Sequence, residues 1–256
     1  METKYGFTKI GLSEFLNWID QQRVGRTILT IQQHHTFMPS YQGFNGSNHF
    51  ELQKGMKNYH VGQNGFSDIA QHFTIFPDGA ILTGRSLDVN PSGIKNRNSG
   101  AICIENLGDF DIGKDNMLQE HKDAIVQVTA ALCKKFNLPV NTNSILYHHW
   151  FRLSDGFRNN GAGGNKSCPG SNFFGGNKVE NCEANLLPLV NQAIAGHLPI
   201  TVDTNLLRYA VVTAGSLNVR FGPGTNHPIV SKLSKEDPGF VLEEEAGWAK
   251  IGPKLH

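Results

Sequence analysis

The chain has 256 residues, 39% hydrophobic and 18% charged, enough for one ordinary domain with a packed core and a small second one. Lys and Arg number 23 against 22 Asp and Glu, so the formal charge of +1 excludes the strong basic field of a nucleic-acid binder. No run of about 18 apolar residues occurs, so no membrane insertion is expected, and the first six residues are not followed by the apolar core of a secretory signal.

In chain order, Ser13 is placed to cap a short helix carrying Phe15, Leu16 and Ile19 on one face. A strand is expected over residues 27–33, with Ile28, Thr30, Gln32 and His34 on one face and Leu29, Ile31, Gln33 and His35 on the other. That alternation makes His34 the candidate for an open site and His35 for packing. A helix over 50–59 and a Gly/Asn loop follow, and strands at 71–76 and 80–83 flank Pro77-Asp78-Gly79 as a hairpin. Residues 101–106 read as a further strand, Ala101, Cys103 and Glu105 sharing one side.

Helical spacing returns over 118–136 through Ile125, Val128, Leu132 and Phe136, with Asn116 as the expected cap and Leu138-Pro139 as the stop. A strand over 145–148 leads into a Gly/Asn-rich loop at 155–165. A last helix spans 179–195, interrupted or started late at Pro188. The boundaries follow as a first domain over 1–196, a linker over 197–205 and a second domain over 206–256. In the last, short strand candidates between Gly/Pro turns describe a small all-β barrel. Four cysteines, irregularly spaced, form no disulfide framework, so no essential disulfide is expected.

Three features carry chemistry. The pairs His34-His35 and His148-His149 each end an apolar run, and Lys166-Ser167-Cys168-Pro169-Gly170 sets a Cys before a turn, two residues after a cation. Two imidazoles and a thiolate leave tetrahedral Zn²⁺ one open position, the arrangement of a catalytic site. Amide hydrolysis there also needs a base and an oxyanion partner, for which Glu105 and Lys166 are the candidates. The residues also admit blander readings: strand-end histidines that pack, a buried thiol entering a turn, a solvated Glu105. His49, His60, His121, His197 and His227 are read as structural or exposed, with His72 left open.

The order of Ile31-Gln32-Gln33-His34-His35-Thr36, Gly65-Phe66-Ser67-Asp68-Ile69-Ala70-Gln71-His72-Phe73, Thr83-Gly84-Arg85, Ile102-Cys103-Ile104-Glu105-Asn106 and Lys166-Ser167-Cys168-Pro169-Gly170 resembles zinc N-acetylmuramoyl-L-alanine amidases. This is the amidase-2 superfamily, which also holds peptidoglycan recognition proteins and amidase-type phage lysozymes, and the resemblance covers roughly residues 25–190. It implies an α/β fold with a mixed central sheet flanked by helices, and the metal ligands His34, His148 and Cys168. It further implies Glu105 as catalytic acid–base and Lys166 as its partner. Where recognition proteins and phage lysozymes carry a catalytic Tyr, this chain has Gln71, which favours Glu105 as the base.

The tail, through Leu217-Asn218-Val219-Arg220-Phe221-Gly222-Pro223-Gly224 and Gly247-Trp248, resembles a bacterial SH3-like module of the kind that binds cell-wall peptides. Together the resemblances imply a monomeric hydrolase with Zn²⁺ as cofactor and peptidoglycan or a muropeptide as substrate. Zinc-activated water would cleave the bond between N-acetylmuramic acid and L-alanine. The alternatives are a non-catalytic peptidoglycan-binding protein and a zinc hydrolase of another peptide amide. The site of action expected is extracellular or the cell wall, reached by phage-type release, by unconventional export or through a signal lying outside this sequence.

Overall fold

A computed structural model describes residues 1–196, 208–211, 213–220, 224–235, 238–245 and 248–251, and divides the chain into two compact units, Met1–Pro199 and Ile200–His256. The linker expected over 197–205 lies outside the described residues.

In the first unit, seven strands form a mixed sheet in the order β1-β2-β5-β4-β6-β3-β7. They are β1 (Glu2–Lys4), β2 (Phe7–Ile10), β3 (Thr30–His35), β4 (Phe73–Ile75), β5 (Ile81–Thr83), β6 (Ala101–Asn106) and β7 (Ile145–Tyr147). The four strands from β4 to β7 along that order run parallel, and β1, β2 and β5 antiparallel.

The two faces of this sheet differ because alternate residues differ. Ile10, Ile31, Phe73, Ile75, Ile81, Ile102 and Ile104 form one core with Phe15 and Ile19 of α1 (Leu12–Gln21) and Ala124, Ile125 and Val128 of α3 (Gln119–Phe136). The opposite face is apolar at β2 and β5, where Phe7 and Leu82 meet Phe50 and Met56 of α2 (His49–Gly62). Toward β6 and β3 that second face carries Cys103, Glu105, Gln32 and His34 instead.

Three details depart from the sequence reading. Strand β3 begins and ends two to three residues later than expected, because its ladder is set by β6, with Thr30 opposite Ala101 and His35 opposite Asn106. Gly11, not Ser13, caps α1, its N–H donating to Glu14 Oε2 at 3.1 Å. Leu118, not Asn116, precedes α3. Helix α3 stops before Leu138-Pro139, at Asn137, which adopts the left-handed conformation (φ 52°) and donates its N–H to the carbonyls of the last turn.

The last helix is divided, as α4 (Val179–Asn181), a π-turn at Cys182–Leu186 and α5 (Leu187–Ile194), with Pro188 tolerated in the first turn of α5. The four cysteines are buried and free. No helix among the described residues is long and apolar enough to cross a membrane.

The second unit is all β among its described residues. Strands β9 (Ser216–Arg220) and β10 (Ile229–Ser234) pair antiparallel, and β8 (Arg208–Val211) and β12 (Trp248–Ile251) flank β11 (Pro238–Glu245). Phe221, Gly222 and Pro223 of the expected signature lie outside the described residues.

Candidate metal centre

The parallel register of β3 and β6 sets His34 directly opposite Glu105 and Gln32 opposite Cys103. On the other side of β3, Gln33 is level with Tyr147, so the chain leaving β7 delivers His148 beside His34. Cys168 arrives from the 166–170 turn. The nitrogens and sulfur of His34, His148 and Cys168 lie within 4.8 Å of one another, with His34 Nδ1 3.2 Å from His148 Nδ1 and 3.5 Å from Cys168 Sγ. A second group on the same face, His34, Cys103 and Glu105, meets the same distance limit.

The donor chemistry fits a borderline-soft divalent ion such as Zn²⁺, for which nitrogen and thiolate ligands are usual. All three side chains are buried. Burial first, then each other's and Lys166's charge, holds His34 well below the ordinary imidazole range, and burial lowers His148 to about 4. Both rings are therefore neutral, with a lone pair available for a metal. Burial pushes the Cys168 thiol up, so the thiolate a metal needs forms only with a cation present.

Of the other expected residues, Glu105 stands on the cluster's face of the sheet. Its Oε2 is buried without a hydrogen-bond partner, and burial raises the carboxyl to about 8 against the opposing charge of Lys166. Lys166 is exposed at the head of the Cys168 turn, and its carbonyl accepts a hydrogen bond from His149 Nδ1 at 2.6 Å. Its charge is felt by His34, His148, Glu105 and Cys168 alike.

His35 packs as the alternation implied, its Nδ1 accepting the Phe110 N–H at 3.1 Å. Gln71 is buried, donating to Thr74 Oγ1 at 2.9 Å, and Thr74 is level with Glu105 across β4 and β6. His72 is structural: Nδ1 accepts the Cys103 N–H, and Nε2 donates to the Val89 carbonyl.

Sequence reasoning missed Asp111. Its Oδ1 accepts the Ser171 N–H at 2.8 Å and its Oδ2 the Ser167 hydroxyl at 2.9 Å, tying the Cys168 turn to the segment after β6. Burial opposes its charge, but these hydrogen bonds prevail and hold the carboxyl below its ordinary range. Gly170 completes the seating, since at φ +120° a Cβ there would stand 2.5 Å from the Phe110 backbone. Only a loop-borne acid without periodicity marks Asp111 in the sequence.

Against known proteins, the family model described as N-acetylmuramoyl-L-alanine amidase matches residues 24–171, and that of the bacterial SH3 domain matches residues 215–254. No curated protein matches the chain. Among solved structures, Drosophila PGRP-LB is similar at 20% identity over 71% of this chain and 89% of its own, with a TM-score of 0.48. The N-acetylmuramoyl-L-alanine amidase LysC from Clostridium intestinale URNW is similar at 24% identity over 58% and 80%, with a TM-score of 0.42. Bumblebee PGRP-SA is similar at 19% identity over 68% and 92%, with a TM-score of 0.45. Because the amidase model accounts for more than half of its length, the chain belongs to the N-acetylmuramoyl-L-alanine amidase family.

Proposed function

We propose that the protein is a zinc-dependent peptidoglycan hydrolase cleaving the amide between N-acetylmuramic acid and L-alanine, with His34, His148 and Cys168 as metal ligands. The observation that carries this reading is the convergence of those three side chains, from segments more than 100 and about 20 residues apart, on one point within 4.8 Å. Zn²⁺ bound there supplies Lewis acidity to the substrate carbonyl and lowers the pKa of water.

The chain's own part is proton movement and charge. Glu105 Oε2 takes a proton from the attacking water and passes it to the leaving amine nitrogen. Burial raises this carboxyl to about 8 in the protein alone, and the charge of a bound Zn²⁺ would lower it toward the base form that accepts the proton. The Lys166 ammonium, exposed and unburdened by any ion pair among the described residues, faces the developing oxyanion. The site of action is outside the cell or at the wall, and the SH3 unit holds the enzyme on its polymer.

Mass analysis of digested peptidoglycan tests the reading. New L-alanine amino termini on intact glycan strands are expected. Absence of products would favour a binder, and cleavage inside the stem peptide would favour another amide hydrolase. Glu105→Gln is expected to lower turnover by about 10²–10⁴-fold with zinc still stoichiometric, and a loss under about tenfold would remove Glu105 from the base role.

A further inference from the structure

At the opposite end of β3 from the histidine cluster, a cavity of about 390 Å³ opens between the segment at 96–99, the start of β3 and the loop carrying Phe151 and Arg158. Leu146 and Phe151, both buried, give it an apolar wall. Arg97 and Arg158 both lie near Phe151, their guanidinium carbons 5.7 and 6.0 Å from its ring centroid.

Both arginines have donors to spare. Arg97 uses only Nε, on the Gly156 carbonyl at 3.2 Å. Arg158 uses Nε on Asn160 and Nη1 on the Thr142 carbonyl and Asn143 Oδ1. Among the described residues, Nη1 and Nη2 of Arg97 and Nη2 of Arg158 have no partner, and neither residue forms an ion pair. Burial lowers half-buried Arg158 from its ordinary range, with Glu183 opposing and Arg97 adding to the effect, while Arg97 stands exposed at the cavity mouth.

We propose that this cavity binds the C-terminal carboxylate of a short peptide, with the carboxylate on the free guanidinium nitrogens and a small terminal side chain against Phe151 and Leu146. A planar carboxylate matches the arginine fork, and the apolar wall needs a ligand with an apolar part, which inorganic phosphate lacks. The volume falls in the range of small-ligand sites.

The cavity is separate from the metal centre. Thr30, which lines it, and His34 share a face of β3 four residues apart, roughly 13 Å. Between them Gln32 pins the covering segment, accepting the Ile94 N–H at 3.2 Å and donating to the Arg97 carbonyl at 2.8 Å. The ligand is therefore a peptide end held about four extended residues from the metal centre. That it is a wall peptide rests on the proposed function.

The test is titration of the full chain with N-acetyl-D-alanyl-D-alanine, followed by the Nε–Hε resonances of its arginines. Saturable shifts of the Arg97 and Arg158 resonances are expected, with affinity at least about tenfold weaker for the C-terminal amide of the same dipeptide and, read at Arg158, in R97Q. R97K, which keeps the charge but loses the fork, is expected to bind more weakly than the parent. No saturable shift, an equal affinity for the amide, or inorganic phosphate binding as tightly as the dipeptide would each overturn the proposal. The readout requires no turnover, so a failed digest with an intact peptide shift would sink the hydrolase reading alone.

Discussion

His34 shows how much one ring depends on its surroundings. Its Nδ1 faces His148 and Cys168, while Nε2 is buried without a hydrogen-bond partner. Gly93 lies against that nitrogen: a Cβ there would stand 3.1 Å from Nε2 and collide with Gln32 Oε1, which is bonded to Ile94 N–H. Gly93→Ala is thus expected to rotate the ring and lower zinc affinity by about 10–100-fold, the scale of lost supporting contacts at metal sites. Competition with a chromophoric chelator measures it, and an unchanged affinity would show that the ring is held by the metal alone. The alternation of Thr30, Gln32 and His34 made His34 legible in the sequence, but Gly93 was not, because nothing local marks a glycine that leaves room for a residue 59 positions earlier.

Among the elements, the 166–171 turn has the least regular structure and the most to hold. Asp111 and Gly170 seat it, and Asn177 Nδ2 adds a bond to the Ser167 carbonyl at 2.7 Å. Asp111→Ala leaves two donors without their acceptor, expected to cost about 1–3 kcal/mol of stability. It should also weaken zinc binding more than the same loss elsewhere on the surface, since Cys168 sits on a loop whereas His34 lies in β3 and His148 directly follows β7. Urea unfolding with and without zinc checks both effects, and a variant that loses stability but keeps its zinc affinity would detach the turn from the metal centre. The pentapeptide was legible as a motif, whereas its anchor was not, because Asp111 bonds to partners 56 and 60 residues away.

For the molecule as a whole, buried imidazoles set the response to acid. Burial lowers His72 to about 4 and His121 to about 3 from an ordinary 6.5. Below 6.5 the unfolded chain binds protons at both that the folded chain refuses, so their contribution, full above 6.5, is lost as pH falls toward the folded values. The linkage amounts to about 2 kcal/mol for each by pH 5. Without zinc, His34 and His148 act in the same direction. Urea unfolding at pH 7 and pH 5 should show this loss, reduced in His121→Gln, and equal stability at the two values would contradict it. At the same scale, removing residues 200–256 is expected to abolish sedimentation with cell walls while leaving hydrolysis of a soluble muropeptide within about twofold. Comparable sedimentation of the shortened protein would assign wall binding to the first unit.

The sequence by itself determined which strands are amphipathic and in what order the histidines, Glu105 and Cys168 occur, because side-chain period and local turn chemistry are written in neighbouring residues. It also carried the alternation that sends His34 to one face and His35 to the other. Only the tertiary structure decided that β3 lies between β6 and β7, and that register, not spacing, brings His34 level with Glu105 and next to His148. It alone seated Cys168 through Asp111 and set Arg97 and Arg158 near one phenyl ring. Each of those placements depends on long-range packing between segments tens of residues apart.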